Sequence, residues 1–277
     1  MHGHPRTHTT WHRVAPILAE QYTVVCPDLR GFGQSSKPAD TPDHAGSSKR
    51  AKASDCIALM RLLGFGRFGL VGHDRGSYTA FRTAMDHPAS VSRLAILDAI
   101  PIADALARCD ARFASAWWHW FFSPRQKSPS GRSWLIRTHR TGPVQTQWGE
   151  ESYADFHAAI HDPATVHGMI EDYRAGLGVD RQHDEEDRSA GRKLSCPCLR
   201  FGQLATIWKS SMVTSLASGG NGLPTSGATA STAATIWPKK RPRNWPPSWL
   251  RSSIRLEVRQ LSPTASLKPA MPLTTPS

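Results

Sequence analysis

Asp74 sits in Gly72-His73-Asp74-Arg75-Gly76, a carboxylate with a glycine two positions away on each side. The run before it, Phe68-Gly69-Leu70-Val71, is short and apolar and suits a buried strand; the run after it, Ser77 to His87, has helical spacing and stops at Pro88. A glycine-flanked bend between strand and helix can hold one side chain exposed above a sheet, as a nucleophile. A serine there would point to acyl transfer. A carboxylate points to attack on saturated carbon and an alkyl ester that water must later cleave. Five residues also fit a plain turn with an Asp cap, so the functional reading depends on what the rest of the chain brings to this bend.

Three further groups bear on that chemistry. His2-Gly3-His4-Pro5 could present backbone N–H groups to an oxyanion. Trp117-Trp118-His119-Trp120-Phe121-Phe122 and Asp172-Tyr173-Arg174-Ala175-Gly176 contain N–H and O–H donors. Trp117, Phe121 and Phe122 are expected to pack on the core, whereas His119 and Trp120 compete for a site role. Cys196-Pro197-Cys198 lacks the two-residue spacing of zinc sites and reads as the start of a strand.

The elements that must position these groups alternate. Trp11 to Glu20 is predicted helical, Tyr22 to Cys26 a strand, Lys49 to Leu63 a helix with Ala53, Cys56, Ile57, Met60 and Leu63 on one face, and Val91 to Leu97 a buried strand ended by Asp98. Helices between short buried strands predict a parallel sheet with right-handed crossovers, and place Asp74 and Asp98 at the carboxyl ends of strands. From 102 to 190 the pattern turns to polar and aromatic helices without strands, as in an inserted helical cap; 191–199 returns to the core.

Composition bounds the alternatives. The net charge is +12, but ten of the 34 basic residues and one of the 22 acids lie from residue 200 onward, which leaves +3 for residues 1–199. The basicity therefore belongs to a Ser-, Thr- and Pro-rich tail, 200–277, without a repeated basic-aromatic arrangement, which argues against a nucleic-acid platform. Five scattered cysteines and the lack of a long apolar span or a secretory leader predict a cytoplasmic chain with no membrane partner.

These motifs, taken in order from His2 to about Leu199, resemble the haloacetate and fluoroacetate dehalogenases, a branch of the α/β-hydrolase family. The resemblance rests on the His-Gly-x-Pro loop, Asp28-Leu29-Arg30-Gly31-Phe32-Gly33-Gln34-Ser35, the Gly-His-Asp-Arg-Gly bend, Leu97-Asp98, Trp118-His119-Trp120 and the Asp172–Gly176 stretch. It implies an α/β fold with a core over 1–101 and a cap over 102–190. Asp74 would be the nucleophile, Arg75 the partner of a haloacid carboxylate, and His119, Trp120 and Tyr173 the halide donors. Backbone N–H groups of His4 and Arg75 would hold the oxyanion, and Asp98 would orient a catalytic histidine. The reaction needs haloacid and water but no cofactor or metal. Similar proteins commonly dimerise, so a homodimer stays open. An epoxide hydrolase, which also uses an aspartate at this bend, is the second enzymatic reading; a non-catalytic degenerate hydrolase is the third.

The sequence departs from the family pattern at several points. The position three beyond the elbow arginine, where fluoroacetate dehalogenases carry a second arginine, is Tyr78, which should weaken carboxylate binding. No His follows His183. Only Met1 precedes the His-Gly loop, so the strands that lead into it in the family are expected to be missing and the chain to fold poorly. When the codons beneath Leu216 to Ile254 are regrouped one base early, the genetic code permits a Cys-Gly-His loop followed by an acidic amphipathic helix, with the histidine codon straddling Ala234 and Thr235. The tail is therefore read as out-of-frame translation beginning near Leu199 to Phe201, and the chain as written as inactive.

Overall fold

The computed structural model describes residues 1–125 and 148–201, together with the backbone of Leu256–Arg259. Its centre is a parallel sheet of three strands, β2 (Phe68–His73), β3 (Val91–Leu97) and β4 (Cys198–Phe201), hydrogen-bonded in that order. The β-branched and leucine-rich strand sequences bury alternate side chains on the two faces; Leu94 and Ile96 are among the most deeply enclosed. The return to the core pairs from Cys198, next to Leu94, and ends at Phe201, whose carbonyl accepts from the amide of Asp98.

Helix α1 (Val14–Ala19) is shorter than the predicted Trp11–Glu20 because a separate 3-10 turn occupies His8–Trp11. Pro16 explains the break: it has no amide to donate back to residue 12, so a helix begun at Trp11 would lack a bond in its second turn. Helix α2 (Lys49–Leu62) starts at Ser48, whose hydroxyl accepts from the Ala51 amide. Helix α3 (Arg75–Asp86) begins two residues earlier than its periodicity suggests, directly at the bend.

Strand β1 (Val24–Pro27) does not join the parallel sheet. It pairs antiparallel with β5 (Leu256–Arg259), so two parts of the 200–277 tail, Arg200–Phe201 in β4 and Leu256–Arg259 in β5, form regular backbone; residues 202–255 and 260–277 lie outside the described residues. Between β1 and β2 is an apolar cavity of about 120 Å³ lined by Val25, Leu59, Phe68 and Leu70 among others. Met1 closes one end of it. Its amino group donates to the Val71 carbonyl at 2.6 Å and its carbonyl accepts from His73 at 3.1 Å, the bonding of one residue in a strand parallel to β2.

Among the described residues between β3 and β4 the elements are helical: α4 (Ile102–Ala107), α5 (Ala111–Ala116), α6 (His119–Phe122), α7 (Glu150–His161), α8 (Pro163–Ala175), a π-type segment at Gly176–Asp180, and α9 (Arg181–Ser189). Asp162 caps α8 through the amides of Ala164 and Thr165, with Pro163 in the first turn. The buried side of α8 carries Met169, Ile170, Asp172 and Tyr173 against the core, which is how a cap helix reaches the bend. Trp117 and Phe121 pack on the core, but Phe122, expected to do the same, is exposed and stacks edge-on against Trp118.

Candidate functional site

The bend at Asp74 forces its backbone to φ 51°, and Asp98 at the end of β3 takes φ 56°. Left-handed backbone at a non-glycine residue is costly and persists where surrounding structure over-determines it. Here the amide of Asp74 is bonded to the Leu97 carbonyl, and Ser77 Oγ, which donates to Gly72 and Leu97, fastens the first turn of α3 to both strands.

The loop at His2–Pro5 crosses directly over the bend. The His4 amide donates to Asp74 Oδ1 at 2.7 Å, and the Arg75 amide also donates to this carboxylate. Glycine at position 3 is needed for the approach, because a Cβ there would lie 2.5 Å from both Cβ and Oδ1 of Asp74. His2 underpins the loop: its Nε2 accepts from the Leu29 amide, and its ring stacks edge-on against Phe32. Burial raises the Asp74 pKa, opposed by the amide of Arg75, the Arg75 charge and the amide of His4.

Arg75 is 1% exposed. Its Nε donates to Asp172 Oδ2 and its Nη2 to the Asp172 carbonyl, while its guanidinium lies 4.3 Å from the ring centre of Tyr173, 5.3 Å from Tyr78 and 5.7 Å from Trp120. Burial works against the guanidinium charge, but Asp172 outweighs it and the Arg75 pKa is raised. The Asp172 carboxyl is in turn held well below the usual carboxylate range: burial opposes this, and Arg75, Lys49 and Lys52 overcome it. Gly176 lets this chain end pass, since a Cβ there would stand 2.9 Å from Arg75 Nη2.

Lys49 and Lys52, both buried on α2, reach Asp172, and Lys49 also reaches Asp180 at 3.2 Å. Three buried cations, Lys49, Lys52 and Arg75, therefore face two buried carboxylates, Asp172 and Asp180. Burial lowers the Lys52 pKa to about 8, with Asp172 opposing. Sequence reasoning missed both lysines. Their i,i+3 spacing beside the apolar face of α2 was the available signal, but their partner lies more than a hundred positions away.

Tyr173 joins the remaining predicted residues. Its ring meets His4 at 5.0 Å and His119 at 5.8 Å, both edge-on. Trp120 is buried and meets Tyr78 edge-on at 5.9 Å. Asp74, Arg75, the His4 amide, His119, Trp120 and Tyr173 thus form one cluster at the end of β2. Asp98 stands at the end of the neighbouring strand, exposed, with no histidine bonded to its carboxylate among the described residues.

A family model for the alpha/beta hydrolase fold matches residues 1–126. A fluoroacetate dehalogenase from Burkholderia sp is 44% identical over 221 residues, covering 76% of this chain and 71% of that protein. A soluble epoxide hydrolase from Corynebacterium sp. (strain C12) is 46% identical over 101 residues, 36% of this chain and 34% of that protein. Among solved structures, one described as an alpha/beta hydrolase from Nostoc sp PCC 7120 superposes with a TM-score of 0.66 at 39% identity, covering 73% and 72% of the two chains. The chain belongs to the α/β-hydrolase fold family. Within it, this hydrolase resembles fluoroacetate dehalogenase, and it is related to the epoxide hydrolases. Among the described residues no helix is long and apolar enough to cross a membrane.

Proposed function

We propose that the site is built to displace halide from a short 2-haloacid. The observation that carries this is the orientation of Asp74: Oδ1 is engaged by the His4 amide, which leaves Oδ2 to attack the halogen-bearing carbon. The carbon–oxygen bond forms as the carbon–halogen bond breaks, and the halide leaves with the bonding pair. Tyr173, His119 and Trp120 are the donors that would receive it, and Arg75 would hold the substrate carboxylate. Water must then add to the ester carbonyl, whose oxygen is the one the His4 amide already holds and which the Arg75 amide would also support, and a base must take the water's proton.

This second half has no base in the chain as written, because no histidine follows His183. The reaction should stop at the ester. Residues 1–101 then form the core, 102–190 the cap and 191–199 the return to the core, and the tail from 200 is an out-of-frame product of a gene that encodes the missing histidine. The free cysteines among the described residues fit a cytoplasmic setting. The test is intact-mass spectrometry after exposure to chloroacetate. One carboxymethyl group should be gained per chain, retained over hours and absent in Asp74→Ala; an unmodified parent would overturn the reading.

A second reading is favoured by one observation. Tyr78 and Tyr173 are both buried against Arg75, and among the described residues neither hydroxyl has a hydrogen-bond partner. Two phenols beside a carboxylate nucleophile could protonate the oxygen of an epoxide as Asp74 opens the ring. Exposure to styrene oxide would then leave a hydroxyalkyl adduct on Asp74, and chloroacetate none.

A further inference from the structure

Outside this site, Asp40 and His44 lie on the loop between β1 and α2, and His167 and Glu171 occupy successive turns of α8. His167 Nε2 lies 2.8 and 2.9 Å from the two oxygens of Asp40, and His44 Nδ1 lies 2.6 Å from Glu171 Oε2. One donor atom each from Asp40, His167 and Glu171 falls within 4.8 Å of the others. Glu171 is 3% exposed, and Arg174 holds its other oxygen, Oε1, which fixes the orientation of the carboxylate.

We infer that Asp40, His167 and Glu171 form a binding site for a divalent transition ion of the Zn²⁺ class that joins the loop to the cap helix. Imidazole nitrogens exclude the all-oxygen preference of Ca²⁺ and Mg²⁺ and suit Zn²⁺, Co²⁺ or Ni²⁺. Zinc takes nitrogen and carboxylate oxygen at about 2.0–2.2 Å, so tetrahedral donors stand roughly 3.3–3.6 Å apart. The three atoms here are already within reach of that spacing, and the exposed Asp40 side chain can adjust without disturbing the core. Arg174 orients the buried carboxylate in the manner of the hydrogen-bonded outer partners of known sites. The ion would tie down α8 one residue before Asp172 and two before Tyr173, and so stabilise the helix that supports Arg75.

The test uses the full chain, stripped of metal and titrated at neutral pH with Zn²⁺ by calorimetry and with Co²⁺ by visible absorption. One tight binding event is expected, accompanied by a rise in unfolding temperature. His167→Gln and Asp40→Asn, both at partly or fully exposed positions, should each weaken it by about tenfold or more. His157 and His161, stacked at 4.0 Å on α7, are a competing surface pair, and His157→Ala should leave the event unchanged. No uptake by the parent, equal uptake by His167→Gln and Asp40→Asn, or loss in His157→Ala would each overturn the proposal.

Discussion

The amide of His4 and the carboxylate of Asp74 are seventy residues apart in sequence and 2.7 Å apart in space. That bond selects which oxygen of the nucleophile is left to react, and Gly3 makes it sterically available. Gly3→Ala should therefore push the loop off the bend. With Oδ1 released, neither oxygen is aimed at the substrate, and adduct formation with chloroacetate, followed by mass, should slow while the fold survives.

Asp172 compensates three buried cations, so its removal should be felt mainly in stability. Asp172→Asn leaves Lys52 and Arg75 without a counter-charge and Lys49 with Asp180 alone, a type of change that costs about 3–5 kcal/mol. The urea midpoint should fall accordingly. An unchanged midpoint would mean that the lysines turn out to solvent at no cost.

Acid should destabilise the chain in two stages. Burial lowers His2 to about 4 from 6.5, so the unfolded chain binds a proton that the folded one refuses, and stability falls as pH drops through that interval. Burial opposes the ionisation of Asp28, but His8 and His2 outweigh it and lower its pKa to about 2, so its contribution is complete above 3.8 and lost on approaching 2. Urea midpoints between pH 7 and 3 should decline throughout. His2→Gln should flatten the upper part of that decline and also shrink the lower part, because His2 helps His8 to lower Asp28.

Tyr78→Arg should supply a second guanidinium beside Arg75. A charge-assisted bond to a carboxylate contributes about 1.5–3 kcal/mol, so adduct formation at low chloroacetate should accelerate about tenfold or more. The same change should lower the unfolding temperature, because it buries a fourth cation next to Lys49, Lys52 and Arg75.

The bend, the flanking strands and the helix faces were legible because their cues are local: glycines two positions from Asp74, a run of alternating burial, a proline at 88. Pro16 was an equally local cue that the first helix would start late. The buried lysines were not legible, since a lysine on a helix ordinarily reads as solvated until its carboxylate is found on a distant element. The pairing of β1 with Leu256–Arg259 was hidden for the same reason, as nothing in either segment names its partner. Phe122 looked like core because it neighbours core residues, and its exposure follows from the single turn of α6.

The amino group of Met1, bonded to Val71 and closed in by burial that lowers its pKa, has a practical consequence. Residues 1–5 are held between the Val71 carbonyl and the Asp74 carboxylate, so a change of bulk in this short segment is passed to the His4 amide and from there to Asp74. Measurements of this hydrolase should therefore leave residues 1–5 unaltered, since the aim of the nucleophile is set there and not only at the bend.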